Sequence, residues 1–338
     1  MSSAFASNAA EDPAPLLEIR NLDLWFDTEQ GRVHAVRGVS FDVAAGKTLG
    51  IVGESGCGKS VTCHAILRLT PGNGFMAGEI LFDGRDLAAG GEEGVAQIRG
   101  REIAMIFQEP LSALNPVHTI GGQIGESLRL HRGMDAQAAR AETLRLLERV
   151  GIPEAARRMD EYPHQLSGGM NQRAMIAMAL ACRPRLLIAD EPTTALDVTI
   201  QAQILSLLQE LQREFGMAII LVTHDLGVVA ESADDVAVMY AGSVVEQGSA
   251  ADVFARPLHP YTAGLLHAIP RIDLTADTLT PIEGSVPSAM TIPPGCSFAP
   301  RCSYAQERCR EQMPSLRAVG TRRALACHFP LDGAEAAA

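Results

Sequence analysis

Lysine is almost absent from this chain. Lys47 and Lys59 are the only lysines among 28 basic residues, which face 40 acidic ones for a formal net charge of -12 over 338 residues. A balance of that sign argues against a surface built to neutralise many phosphates and disfavours a general DNA or RNA binder. The arginine bias fits a genome-wide preference, and it makes a position that keeps lysine informative. Also missing is any apolar run near the roughly 18 residues of a membrane-spanning helix. The best candidates, AIILV at 218–222 and the stretch from Ala174 to Cys182, are core-sized. The opening MSSAFASNAAEDPAP has no basic residue and no long apolar stretch, so it lacks the shape of a secretory signal and reads as a loose leader, residues 1–14, of a cytosolic protein.

What is present is a chain that is 47% hydrophobic, enough for one large core or two unequal ones. From Leu16 short alternating segments predict an antiparallel β-region: LLEIRNLDLWF, VHAVRGVSFDVAAG and, later, GEILFDGRDL. Thr48–Val52 is a buried strand that runs into a glycine-rich loop, and a helix follows from Val61. Residues 123–160 show helical periodicity, with Leu144, Leu147 and Val150 on one face, and a helical subdomain is expected at about 109–175. RLLIAD, MAIILVTH and DVAVMYAGSVVEQG then alternate with helices, which predicts an α/β fold around a mainly parallel sheet. From about 251 the composition turns proline-rich, so residues 15–250 read as the main domain and 251–338 as a separate C-terminal module.

The strongest motif is Gly53, Glu54, Ser55, Gly56, Cys57, Gly58, Lys59 and Ser60, a G-x-x-x-x-G-K-[ST] loop placed between a strand and a helix. Glycines let successive backbone N–H groups curl around a phosphate, Lys59 reaches the β- and γ-phosphates, and the Ser60 hydroxyl ligates Mg²⁺. Chance gives that pattern in roughly one per cent of chains this long. Asp190 and Glu191 end an apolar strand, where Asp190 can hold Mg²⁺ and Glu191 can polarise an attacking water. An Asp-Glu pair after a strand is ordinarily a solvated turn; the upstream loop changes its meaning.

Between these motifs lies LSGGMNQR at 166–173. Here the sequence resembles the ABC ATPase family, whose signature is LSGG. The resemblance covers Leu16 to Gly248 and implies roles for further residues. Phe26 is implied as the aromatic ring on adenine, and Val61 as a nucleotide contact. Gln108 of MIFQEP is implied as the Q-loop residue sensing Mg²⁺ and water, Asp197 of TALD as the D-loop, and His224 of LVTHD as the switch histidine. Ser167, Gly168, Gly169 and Gln172 are implied to cap ATP held by the opposite subunit. Taken singly, Phe26, Gln108 and His224 are ordinary structural residues; their order and spacing carry the signal. Met170, Met175 and Met178 read as packing. Cys57 stands where a small hydroxyl is usual, which predicts sensitivity to thiol reagents, and Asn171 stands where relatives often carry a basic residue. Cys63 and Cys182 read as buried small hydrophobes.

RPLHPYTAGLLHAIP, with His259, Pro260 and Tyr261, and FQEPLSALNPV at 107–117 resemble the oligopeptide, dipeptide and nickel import group. The resemblance implies an ATP-hydrolysing subunit on the cytoplasmic face of the inner membrane. Its implied partners are two permease subunits, a second and commonly different ATPase chain and, through the permease, an extracytoplasmic solute-binding protein. Peptide import leads nickel or glutathione import. Cys296, Cys302, Cys309 and Cys327 are spaced C-x5-C-x6-C-x17-C. Four thiolates can hold a 4Fe–4S cluster or a structural Zn²⁺; the lack of C-x2-C pairs and the resemblance put the cluster first, zinc second and unligated thiols third. Six arginines between Arg301 and Arg323 predict basic surroundings that keep those thiols deprotonated. Two rivals are weaker. A soluble ABC ATPase of DNA repair or translation would carry a second nucleotide domain or an insertion, and a redox sensor would need the tail cysteines to control turnover.

Overall fold

The computed structural model describes residues 14–331 except 88, 90, 195, 196, 269–281 and 321, so the leader lies, apart from Ala14, outside the described residues. Where polar and apolar residues alternate, at Pro15–Thr28 (β1), Gly31–Ala44 (β2), Gly74–Phe82 (β4) and Arg85–Asp86 (β5), an antiparallel sheet forms in the order β2-β1-β4-β5. Leu17, Ile19, Leu22 and Leu24 of β1 are at most 1% exposed and carry the shared core.

The continuous apolar runs go elsewhere. Thr48–Val52 (β3), Ile103–Ile106 (β6), Leu186–Asp190 (β7), Ala218–Val222 (β8) and Asp235–Tyr240 (β9) lie side by side and parallel in the order β6-β7-β8-β3-β9. Such strands are apolar along their whole length because both faces are covered. Ser243–Ser249 (β10), Ala324–Leu325 (β12) and Arg317–Ala318 (β11) continue the sheet antiparallel beyond β9. The α/β class read from the sequence is the class observed.

Between β6 and β7 the chain is helical. Ile120–Arg132, Ala136–Arg149 and Gly168–Leu180 are capped by Thr119, Asp135 and Ser167, whose side chains accept from Gly122, Ala138 and Met170 N–H. Caps of this kind satisfy donors that a helix cannot pair internally. Leu147 and Val150 are buried and Leu144 packs beside them.

The composition shift near 251 does not mark a gap in the packing. Tyr261 and Phe298 are buried against Tyr240 of β9, with ring centroids 4.6 and 5.3 Å away. Glu246 of β10 is fully buried and accepts from the backbone N–H of Leu258 and His259 and from the Arg323 guanidinium. A proline-rich stretch with few apolar residues cannot close a core alone, and this one completes the core of β9 and β10.

Candidate functional site

The parallel strands deliver their chemistry to one edge of the sheet. Gly53 follows β3, Glu191 follows β7, Thr223 and His224 follow β8, and Gln108 lies two residues past β6. Adjacent parallel strands share one direction, so their C-terminal ends meet, and ligands of open α/β sheets bind there. Ser55, Gly56, Gly58, Lys59, Ser60 and Val61 line a cavity at this edge together with Gln108 and Glu191.

The loop shape is enforced by glycine where only glycine fits. Gly53 has φ 151°, and a Cβ on it would stand 2.2 Å from the Met239 carbonyl oxygen. The helix Lys59–Ile66 opens on Gly58 with no side-chain cap, which leaves its first N–H groups to an anion. Lys59 is buried, and its Nζ donates to the carbonyls of Gly53 (2.7 Å) and Glu54 (3.0 Å). Its side chain thus lies back across the loop it belongs to.

Ser60 Oγ donates to Asp190 Oδ1 at 2.9 Å, joining the two oxygen donors expected at a Mg²⁺ ion. Gln108, the third expected donor, goes to the neighbouring carboxylate instead, its Nε2 lying 2.9 Å from Glu191 Oε2. Thr194 Oγ1 donates to the same oxygen at 2.7 Å, and His224 Nδ1 lies 3.5 Å from Oε1. Glu191 itself has φ 46°, an uncommon conformation for a residue with a side chain, held by its N–H bond to Val222 O. The two adjacent carboxyls are pushed apart. Burial drives Asp190 above the usual carboxylate range, against the Ser60 bond. Burial also acts to raise Glu191, but the bonds from Thr194 and His224 outweigh it and leave that carboxyl below its usual value. An ionised Glu191 surrounded by three polar side chains can take a proton from water; Asp190 with Ser60 suits a hard cation.

Other predicted residues lie elsewhere. Ser167 and Gly168 are exposed, and neither they nor Gly169 line the cavity. Gln172 does not accompany them: it is 2% exposed and donates to Pro192 O at 2.6 Å, tying the signature helix to the turn after Glu191. Asn171 is likewise buried, donating to Pro163 O at 2.9 Å. Asp197 accepts from Ile200 N–H and caps the helix Val198–Phe215, while Ala195 and Leu196 of the same motif lie outside the described residues. Phe26 is paired with Gly74 across β1 and β4, its ring packs beside that glycine, and it is not among the cavity-lining residues. Cys57 is 1% exposed with its thiol pushed up by burial, so the expected sensitivity to thiol reagents is corrected: the group faces inward. Ala35, Ala241, Gly242, Pro287, Ala289 and Ile292 also line the cavity, and no motif or spacing pointed to them.

The tail cysteines come together. Cys296, Cys302, Cys309 and Cys327 line one small cavity with His259, and all are free. Their surroundings are not those expected. Burial pushes the thiols of Cys296 and Cys302 up and that of Cys327 to about 11, with neighbouring cysteines adding to the rise. Three of the six arginines are engaged elsewhere, Arg301 with Glu54, Arg322 with Asp235 and Arg323 with Glu246, while Arg317 donates to the Cys327 carbonyl. His259 Nδ1 accepts from Tyr261 N–H, and its buried Nε2 has no partner. Among the described residues, no three His, Cys, Asp or Glu side chains are arranged to hold a metal ion as they stand.

Known proteins share this architecture. Residues 36–194 match the family described as ABC transporter, and residues 245–309 match the one described as oligopeptide/dipeptide transporter, C-terminal region. The chain is 55% identical over 282 residues to a dipeptide transport ATP-binding protein of Bacillus subtilis, covering 83% of this chain and 84% of that one. It is 50% identical over 333 residues to an oligopeptide transport ATP-binding protein of Salmonella typhimurium, covering 98% and 99%. Among solved structures, a dimeric post-hydrolysis state of the ATP-binding cassette MJ0796 bound to ADP and Pi superposes with TM-score 0.63 at 28% identity, over 69% of this chain and 98% of that one.

Proposed function

This chain belongs to the ABC transporter family of ATP-binding proteins, and on that footing we propose that it powers a peptide importer by binding and hydrolysing ATP. The observation that carries the reading is the meeting of Lys59, Ser60, Asp190, Gln108, Glu191 and His224 at one sheet edge. In this account the loop 53–60 cradles the phosphates, and Ser60 and Asp190 would hold Mg²⁺, which when bound would supply positive charge to offset that of the phosphates. Glu191 takes the proton of the attacking water, oriented by Gln108, while His224 donates to the γ-phosphate. Exposed Ser167 and Gly168 cap ATP held by a second ATPase subunit, so nucleotide lies in the interface and its hydrolysis lets the pair part. The dimeric solved relative supports that arrangement.

Dipeptide and oligopeptide transport named for close relatives supports peptides as the cargo class. No helix among the described residues is long and apolar enough to cross a membrane. From the transport named for those relatives we place the chain on the cytoplasmic face beneath two permease subunits, which receive solute from an extracytoplasmic binding protein. Leu111 and Val117, 59% and 73% exposed just after Gln108, supply apolar surface for the permease contact. Residues 15–250 would form the ATPase unit and 251–338 its extension. The gathering of four thiols at one cavity supports a 4Fe–4S cluster, or Zn²⁺, which would need those side chains to turn toward it and when bound would staple the tail; iron, sulfide and zinc analysis of anaerobically purified protein tests that part. The transport reading is tested by uptake of labelled dipeptide in vesicles. ATP-dependent uptake that disappears with Lys59→Ala supports it, and uptake unchanged by that substitution refutes it.

A further inference from the structure

The C-terminal region touches the phosphate loop through one side chain. The side chain of Arg301 is 4% exposed, and its Nη1 and Nη2 donate to Glu54 Oε2 and Oε1 at 2.6 and 3.0 Å, a two-pronged bond across 247 residues of sequence. The same guanidinium donates from Nε to Glu283 O (2.9 Å) and from Nη2 to Ile282 O (3.1 Å). A few residues on, Pro287, Ala289 and Ile292 line the cavity opposite Gly58 and Lys59. Glu54 is held from other sides as well: its N–H donates to the Tyr261 hydroxyl at 2.9 Å, and its carbonyl accepts from Lys59 Nζ.

The bonds to the N–H and carboxylate of Glu54 restrain the start of the phosphate loop. A planar guanidinium fits a carboxylate in one relative orientation, which a flexible ammonium does not impose. Arg301 therefore sets the direction of the Glu54 side chain. Tyr261 sets the peptide plane that precedes it. The N–H groups of the loop must point inward together to receive an anion, and fixing Glu54 at its N–H and its carboxylate leaves the start of the loop little freedom to lose on binding.

Resting on the reading that this cavity takes ATP, we propose that the C-terminal region is part of the nucleotide site, with Arg301 as a positioning residue. It holds the phosphate loop at Glu54 and the wall segment 287–292 in one arrangement. Arg301 touches no reacting atom, so its loss weakens ground-state binding and leaves the chemical step largely intact.

The test uses the full-length chain for the Kd of Mg-ATP and the assembled transporter for KM and kcat, with Glu54→Gln, Arg301→Lys and the double variant. Loss of the two-pronged charged bond is expected to raise Kd and KM about tenfold in each single variant, with kcat within about twofold and the double variant no worse than the worse single. Glu54→Gln leaves the Arg301 bonds to Ile282 and Glu283 available, so it reports on the loop even where Arg301→Lys unsettles the tail. Kd within twofold of wild type for Glu54→Gln, additive effects in the double variant, or a fall in kcat at unchanged KM would each overturn the proposal. A wild-type chain that binds no Mg-ATP would instead remove the nucleotide reading on which it rests.

Discussion

Replacing Gly53 by Ala and, separately, Gly56 by Ala separates two ways in which a phosphate loop requires glycine. Both residues have positive φ, 151° and 78°, so each substitution strains the backbone. Strain of that kind costs roughly 1–2 kcal/mol for one residue. At Gly56 nothing lies within 4 Å of the added carbon, so strain is the whole cost. At Gly53 the added carbon would lie 2.2 Å from Met239 O and 2.9 Å from Cys57 Sγ, and the first of these is strand backbone that cannot swing away. Overpacking adds about 1–3 kcal/mol. Gly53→Ala is thus expected to cost about 2–5 kcal/mol against about 1–2 for Gly56→Ala, a large part of a typical stability of roughly 5–15 kcal/mol. Equilibrium urea unfolding without nucleotide measures both. Equal destabilisation of the two variants, or a milder Gly53→Ala, would show that the approach of β9 to the loop is not what makes glycine necessary there.

Other outcomes follow from the carboxylates and the surface. The lowered pKa of Glu191 means its bonds favour the ionised form, so their stabilisation is present above the ordinary glutamate pKa and is lost as pH falls through the depressed value. Removing one bond with His224→Ala should shift the acid limb of the kcat–pH profile upward, and a limb that stays put or moves down argues against the contact. Leu111→Ser with Val117→Ser is expected to leave ATP binding by the full-length chain within about twofold and to lower co-purification with the permease severalfold, since a docking patch contributes through apolar area. Unchanged co-purification would place the permease contact elsewhere.

The parts of the site that were readable in the sequence are those that a strand and its following turn define together. Gly53 to Ser60, Asp190 with Glu191, and His224 each sit directly behind a buried strand, and parallel pairing of those strands is enough to bring them together. Residues whose role depends on distant packing were not readable. Gln172 faces the turn after Glu191 because its helix packs there, and Phe26 sits beside Gly74 through the β1–β4 register. The tail was the least legible part. Its proline-rich composition suggested a separate module, and Tyr261 and Phe298 pack into the core around Tyr240. Of the arginines expected around the cysteines, Arg301, Arg322 and Arg323 serve Glu54, Asp235 and Glu246, and Arg317 reaches the Cys327 carbonyl. Charge counted along a chain says little about which partner each side chain meets.

The most direct test of ATP as both substrate and interface ligand is to replace Glu191 by Gln and follow, in the same samples of assembled transporter, ATP turnover and the ATP-dependent pairing of the nucleotide domains. Glutamine keeps the shape and can still bond Thr194 or Gln108, but it cannot take a proton at neutral pH. The account predicts turnover lower by at least about a hundredfold, the lower end of the range for losing a general base, with the ATP-bound pair retained or longer-lived. Turnover at the wild-type rate, or loss of ATP-dependent pairing together with turnover, would contradict it.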